Sequence, residues 1–219
     1  MSHIRESDAI IHMIRCFDSD NIQNVNPNVD PIRDLEIIET EMMLADLESI
    51  QKRLDKKNKK NMDKDQLKIL EIALDCINNN KNLKILNEQF NNKVLNQSGL
   101  LSIKPKIYVC NVDEKSAQAG NAYVEQVKSV VASEKAEVLV LAVAIEADIN
   151  ELDDFEERQM FLEDLGLKEA GSSKLIRAAY KLLDLQTYFT AGAKEVRAWT
   201  IKIGILKINK SIEFKKNAP

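Results

Sequence analysis

The 219-residue sequence lacks the loop that would grip a chain of phosphates. Its six glycines (Gly99, Gly120, Gly166, Gly171, Gly192, Gly204) nowhere form G-x-x-x-x-G-K-[ST], whose backbone N–H groups and lysine cradle phosphate oxygens. Three cysteines (Cys16, Cys76, Cys110) are an odd number without C-x-x-C spacing, which argues against a disulfide framework or a zinc site. The two histidines, His3 and His12, form no metal pair at helical spacing. His12 lies in an apolar stretch, where a packed ring is the ordinary role. No Ser/His/Asp set and no base beside a thiol supports nucleophilic catalysis. No apolar run reaches the roughly 18 residues of a membrane span, and the N-terminus has no signal-peptide core, so a cytoplasmic chain without a membrane partner is expected.

What is present is an ordinary globular composition, 44% hydrophobic and 30% charged, enough for one good-sized domain or two small ones. The net charge of −4 marks neither a nucleic-acid binder nor a membrane-surface protein, but the charges are unevenly placed. Lys52, Arg53, Lys56, Lys57, Lys59, Lys60 and Lys64 crowd one stretch, and Glu146, Asp148, Glu151, Asp153, Asp154, Glu156 and Glu157 another. The acidic stretch lacks the glycine and alternation of an EF-hand and reads as a solvated helix face. The basic one suits phosphate backbones through counterion release, or equally a solvated helix tip. No aromatic residue interleaves with its lysines, so stacking on bases is not supported.

Residues 8–15 form a short apolar run that fits a buried parallel strand. Asp30-Pro31 is a strong helix start, a capping carboxylate followed by a proline that needs no donor. Leu35, Ile38, Met42, Met43, Leu47, Ile50 and Leu54 then form a heptad-like seam. Asp63-x-x-Gln66 resembles a capping box for a second helix carrying Leu67, Leu70, Leu74 and Ile77. Together the two predict an antiparallel helical hairpin. Residues 78–98 are Asn-rich and weakly helical at best. Past Gly99, the spacing predicts a strand over 106–110, a helix over 117–133 and the strongest strand over 137–144, a βαβ unit. Helices over 151–165 and 174–183 follow, then a hairpin with arms at 187–190 and 196–201.

The strand over 106–110 runs into Asn111-x-x-Glu114. A carboxylate just past a strand end can accept hydrogen bonds from purine N–H groups, while the Asn amide orients the loop and reaches ring nitrogens. The same pattern also suits a plain polar turn.

Several stretches resemble the YchF family of P-loop NTPases, the Obg-like ATPases. Ser2-His-Ile-Arg-Glu-Ser-Asp-Ala-Ile-Ile-His-Met-Ile-Arg-Cys-Phe17 is similar to the family strand after the second switch region. Val29-Asp-Pro-Ile-Arg-Asp-Leu-Glu-Ile-Ile-Glu-Thr-Glu41 and Leu44-Ala-Asp-Leu-Glu48 resemble the first arm of its inserted coiled coil. Lys104-Pro-Lys-Ile-Tyr-Val-Cys-Asn-Val-Asp-Glu114 matches its base-recognition motif, and Ala142-Val-Ala-Ile-Glu-Ala-Asp-Ile-Asn-Glu-Leu152 its second base-side loop. Leu185-Gln-Thr-Tyr-Phe-Thr-Ala-Gly-Ala-Lys-Glu-Val-Arg-Ala-Trp-Thr-Ile201 is close to the opening of its C-terminal TGS domain.

The resemblance implies an α/β fold: an incomplete P-loop NTPase parallel sheet (1–26 and 99–184), interrupted by an antiparallel helical coiled-coil hairpin (27–98) and followed by a truncated TGS, β-grasp, stub (185–219). It implies base contacts from Asn111, Val112 and Glu114 and from Leu141, Ala142 and Val143, whose loop would offer backbone N–H groups. ATP or GTP is the implied ligand, held weakly, with Mg²⁺ expected only for an intact relative. The ribosome or RNA is the implied partner of the basic hairpin tip. The family's phosphate loop and switches lie upstream of the matching stretch, so a truncated or split gene product is expected, with a separately encoded N-terminal half as a further partner. No catalytic residue is expected in this chain.

Overall fold

The computed structural model describes residues 2–19, 22, 28–55, 62–79, 81, 83, 85–134, 136–192 and 195–204. After a short helix α1 (Ser2–Glu6), strands β1 (Ile10–Arg15), β2 (Lys106–Asn111) and β3 (Glu137–Leu141) form a parallel sheet in the order β1-β2-β3. The central strand β2 is buried on both faces, as a hydrophobic run between two helical layers must be.

One face carries His12 and Ile14, Tyr108 and Cys110, and Val138 and Val140. It packs under α2 (Pro31–Leu54) through Ile32 and Leu35 and under α6 (Ala122–Val131) through Val124, Val127 and Val131. On the other face Ile107, Val109, Leu139 and Leu141 meet Leu175, Ala178 and Leu182 of α9 (Gly171–Leu182). That helix covers β2 and β3 and leaves Ile11 and Met13 of β1 about half exposed, at 49% and 53%. The expected fully buried first strand is therefore an edge strand with one open face.

Helix α2 begins as expected, with Pro31 in its first turn and the Asp30 carboxylate accepting from the N–H groups of Ile32 and Arg33. Its buried seam departs from the predicted one: Leu35, Met42 and Ile50 are buried, Ile38 faces solvent, and Asp46 lies within the stripe. In α3 (Lys64–Asn78), Leu70 is buried with Ile69, Ala73 and Cys76, whereas Leu67, Leu74 and Ile77 are only half-buried. The cause is a larger partner surface. Residues expected to be weakly helical form α4 (Ile85–Gln89) and α5 (Asn92–Ser98), and Leu83, Leu86, Leu95 and Leu100 share one core with Ile50 and α3. The insertion is a small helical cluster, not a bare hairpin. Asp63 caps α3, but Gln66 does not close a capping box; it donates to Val94 O at 3.0 Å and accepts from Arg53 at 3.3 Å.

The helix expected over 117–133 starts later, at Ala122, because the Asn121 side chain caps Val124 N–H and a 3₁₀ turn occupies Glu114–Ser116. β3 stops at Leu141, three residues early, and Val143 opens α7 (Val143–Glu151). A break at residues 152–154 separates α7 from α8 (Phe155–Asp164). The predicted hairpin is present as antiparallel β4 (Leu185–Ala191) and β5 (Val196–Lys202), with Tyr188 opposite Trp199. Among the described residues no helix is long and apolar enough to cross a membrane.

Candidate functional site

In a parallel sheet flanked by helices, ligands bind outside the carboxyl ends of the strands. Here those ends surround an open cavity of about 520 Å³, within the range of small-molecule pockets, roughly 300–1,000 Å³. Phe17, Asp18, Ser19 and Ile22 follow β1, Asn111 to Lys115 end β2, and Val143 and Ala144 open α7. A second cavity, of about 320 Å³ among Asp8, Asn96, Leu182 and Lys202, lies near the amino ends of the strands, where the fold rule does not place a ligand.

The end of β2 is tied to the end of β3. Val112 N–H donates to Leu141 O at 2.8 Å, and Asn111 Oδ1 accepts from Val143 N–H at 3.1 Å. Because the backbone partner is a donor, the Asn oxygen must face it, which leaves the Nδ2 amide as a donor. Beyond it, Asp113 caps the 3₁₀ turn by accepting from Ser116 N–H at 3.1 Å, and this turn presents Glu114 exposed on the cavity rim. The arrangement offers a ligand one amide donor and one carboxylate acceptor over an apolar floor that includes Val112 and Val143.

The wall after β1 is pinned from α6. Asn121 Nδ2 donates to Cys16 O at 2.7 Å, and Tyr123 OH to the Asp18 carboxylate at 3.1 Å, a contact that raises the phenol pKa. Cys16 and Cys110 are buried beneath the site, and the neighbouring Cys110 thiol, then burial, pushes the Cys16 thiol up. Among the described residues no group of three His, Cys, Asp or Glu converges to hold a metal ion.

Of the residues expected at the base site, Asn111, Val112, Glu114 and Val143 come together in the cavity lining. Leu141 and Ala142 do not line it; both are buried below, and the Val143 N–H expected to face a base is already given to Asn111. Phe17, Asp18, Ser19 and Ile22 are lining residues that the sequence analysis did not single out. Their signal was position, directly after the first strand of a parallel sheet.

In the basic stretch, Lys56, Lys57, Lys59 and Lys60 lie outside the described residues. Lys52 and Lys64 are exposed, Lys52 beside Glu48 at 3.9 Å. Arg53 is not a free surface cation. Its guanidinium donates to Ser98 O and Gln66, joining α2 to α5 and α3, and burial lowers its pKa.

The parallel sheet, its two helical layers and a cleft at the strand carboxyl ends define an α/β protein of the ligand-at-strand-ends type. Comparison with known proteins takes this further. The chain is 44% identical over 210 residues to the ribosome-binding ATPase YchF of Escherichia coli O157:H7, covering 93% of this chain and 57% of that protein. It is 45% identical over 215 residues to the ribosome-binding ATPase YchF of Bacillus subtilis, covering 94% and 58%. The YchF GTPase of Schizosaccharomyces pombe superposes with a TM-score of 0.75 at 29% identity, over 92% of this chain and 57% of that one. No family model matches. The chain spans a little over half the length of these relatives, and sequence and fold together show that it is related to the YchF family.

Proposed function

We propose that this chain carries the base-recognising part of a YchF-type nucleotide-binding protein, with the cavity between Phe17 and Glu114 taking the purine of ATP or GTP. The observation that supports this most is the Asn111–Val143 hydrogen bond, which leaves the Asn111 amide N–H groups and the Glu114 carboxylate to serve one cavity. A purine edge offers the matching ring-nitrogen acceptors and N–H donors. The sequence contains no G-x-x-x-x-G-K-[ST], and triphosphate hydrolysis rests almost entirely on holding phosphates and Mg²⁺. Binding is therefore weak and the chain alone does not turn over ATP. Calorimetry should show feeble, purine-selective binding abolished by Asn111→Ala. Tight Mg²⁺-dependent ATP capture, or steady phosphate release, would sink this account.

In the same reading the helical cluster of α2 to α5 corresponds to the family's inserted coiled coil, the β4–β5 hairpin to the opening of a TGS domain, and the chain works in the cytoplasm. Relatives are named ribosome-binding, and the exposed Lys52 and Lys64 support an RNA or ribosome contact at the tip of the cluster. Reversing the charges of Lys56, Lys57, Lys59 and Lys60 tests it by ribosome co-sedimentation; unchanged pelleting rules the tip out.

A second reading rests on β1, the edge strand among the described residues, whose Ile11 and Met13 are half exposed on one face of the sheet. A separately encoded half bearing the phosphate loop would cover it in trans. Co-expression with a phosphate-loop-bearing polypeptide should yield a stable complex and suppress aggregation. Aggregation that persists regardless would favour a decayed remnant.

A further inference from the structure

Arg15 is not among the residues lining the cavity, yet three described residues of the wall after β1 are bound to it. Its Nε donates to Phe17 O at 3.1 Å, Nη2 to Ser19 O at 3.3 Å and Nη1 to Ile22 O at 3.4 Å. Its guanidinium carbon sits 4.9 Å from the centre of the Phe17 ring. Each nitrogen thus holds a different carbonyl of one loop, and Phe17, Ser19 and Ile22 all line the cavity. In the strand pairing Arg15 lies opposite Asn111, so the residue shaping one wall is the register neighbour of the residue fixing the other.

We propose that Arg15 is the positioning residue of this pocket: it holds the loop after β1 at the width that a base requires. Only a planar fork with donors on three nitrogens satisfies three divergent carbonyls and stacks on a ring at once. A lysine ammonium, a compact point charge, cannot. Among the described residues the guanidinium's hydrogen-bond acceptors are carbonyl oxygens of this one loop, the contact set of a residue that shapes a wall.

The proposal rests on the cavity being the base site, and the test separates the two. ATP and CTP binding is measured by saturation-transfer NMR on the full chain, alongside thermal melts and hydrogen exchange of residues 16–22. Arg15→Lys is expected to leave the melting temperature near that of the unsubstituted chain, to speed exchange in the loop, and to weaken ATP binding about tenfold while eroding preference over CTP. Arg15→Gln, which keeps a shorter planar donor, should fall between. If Arg15→Lys leaves exchange and affinity unchanged while Asn111→Ala loses ATP, the positioning role fails and the base site stands. If the unsubstituted chain binds no ATP, both fail. Loss of cooperative folding in both Arg15 variants would also overturn the proposal, by making Arg15 a residue of the fold.

Discussion

Asp46 and Arg5 meet at 3.3 Å where the helical cluster rejoins the sheet, 41 positions apart in the chain. The Asp46 side chain is fully buried and also accepts from the N–H groups of Leu101 and Ser102, each at 2.8 Å. Arg5 completes the clamp by donating to Ala45 O and Gly99 O. A carboxylate taken from water at this cost persists only because its oxygens are satisfied. Asp46→Ala would strand the buried Leu101 N–H and the part-buried Ser102 N–H and remove the carboxylate partner of Arg5, and should destabilise the chain by about 3 kcal/mol. Asp46→Asn should cost less. Urea unfolding checks this, and an Asp46→Ala midpoint equal to that of the unsubstituted chain would contradict it.

A second prediction concerns acid stability. His12 is buried, its Nδ1 has no hydrogen-bond partner among the described residues, and its ring centre lies 5.7 Å from that of Tyr108. Burial lowers its pKa most; the nearby Glu39 carboxylate opposes that and the Lys106 ammonium adds to it. The single Tyr108 O–H proton faces two carboxylates, Glu134 at 3.0 Å and Glu39 at 3.3 Å. Because the folded pKa lies below the unfolded value of about 6.5, the unfolded chain takes up this proton first. The stability due to neutral His12 is complete above about pH 6.5 and is lost as pH falls through the folded pKa. Melting temperature should decline over that window, and His12→Phe should flatten the decline; an identical slope in the variant would refute the assignment.

Glu114 and Asn111 should separate in their effects. The Glu114 side chain is exposed and among the described residues takes no hydrogen bond or ion pair, so Glu114→Ala should change stability by no more than about 0.5 kcal/mol. It should nonetheless erase discrimination between purine and pyrimidine nucleotides in a competition assay. Asn111→Ala removes the bond to Val143 N–H and should cost about 1 kcal/mol in addition to binding. Retained purine preference in Glu114→Ala would disprove its role as the base acceptor.

Gly171 is required by close approach. A Cβ there would lie 2.2 Å from Leu141 Cδ2 and 2.9 Å from Glu146 Oε1. The Glu146 carboxylate caps α9 by accepting from Gly171 N–H at 2.5 Å and Ser172 N–H at 2.9 Å. Gly171→Ala should push α9 off the sheet and loosen that cap, costing roughly 1–3 kcal/mol in chemical denaturation. A neutral result would mean that α9 shifts freely over β3.

Local chemistry was decided by sequence alone. Asp30-Pro31 starts α2 because a carboxylate and a proline suit the same few free N–H groups in any context. The apolar run Ile107–Cys110 reads as a strand from the sequence alone, and Asn111 and Glu114, proposed to meet a base, followed from where that strand ends. Tertiary structure decided the rest. Nothing in the local pattern says that Asp46 is buried, since its partners lie 41 and 55 residues away. Val143 leaves its strand for a helix because Asn111 claims its N–H from across the sheet. Arg15 became a loop organiser only once Phe17, Ser19 and Ile22 turned their carbonyls toward it. A residue's period and capping chemistry are carried by its neighbours in the chain, whereas its burial and its hydrogen-bond partners are set by whichever distant segment arrives beside it.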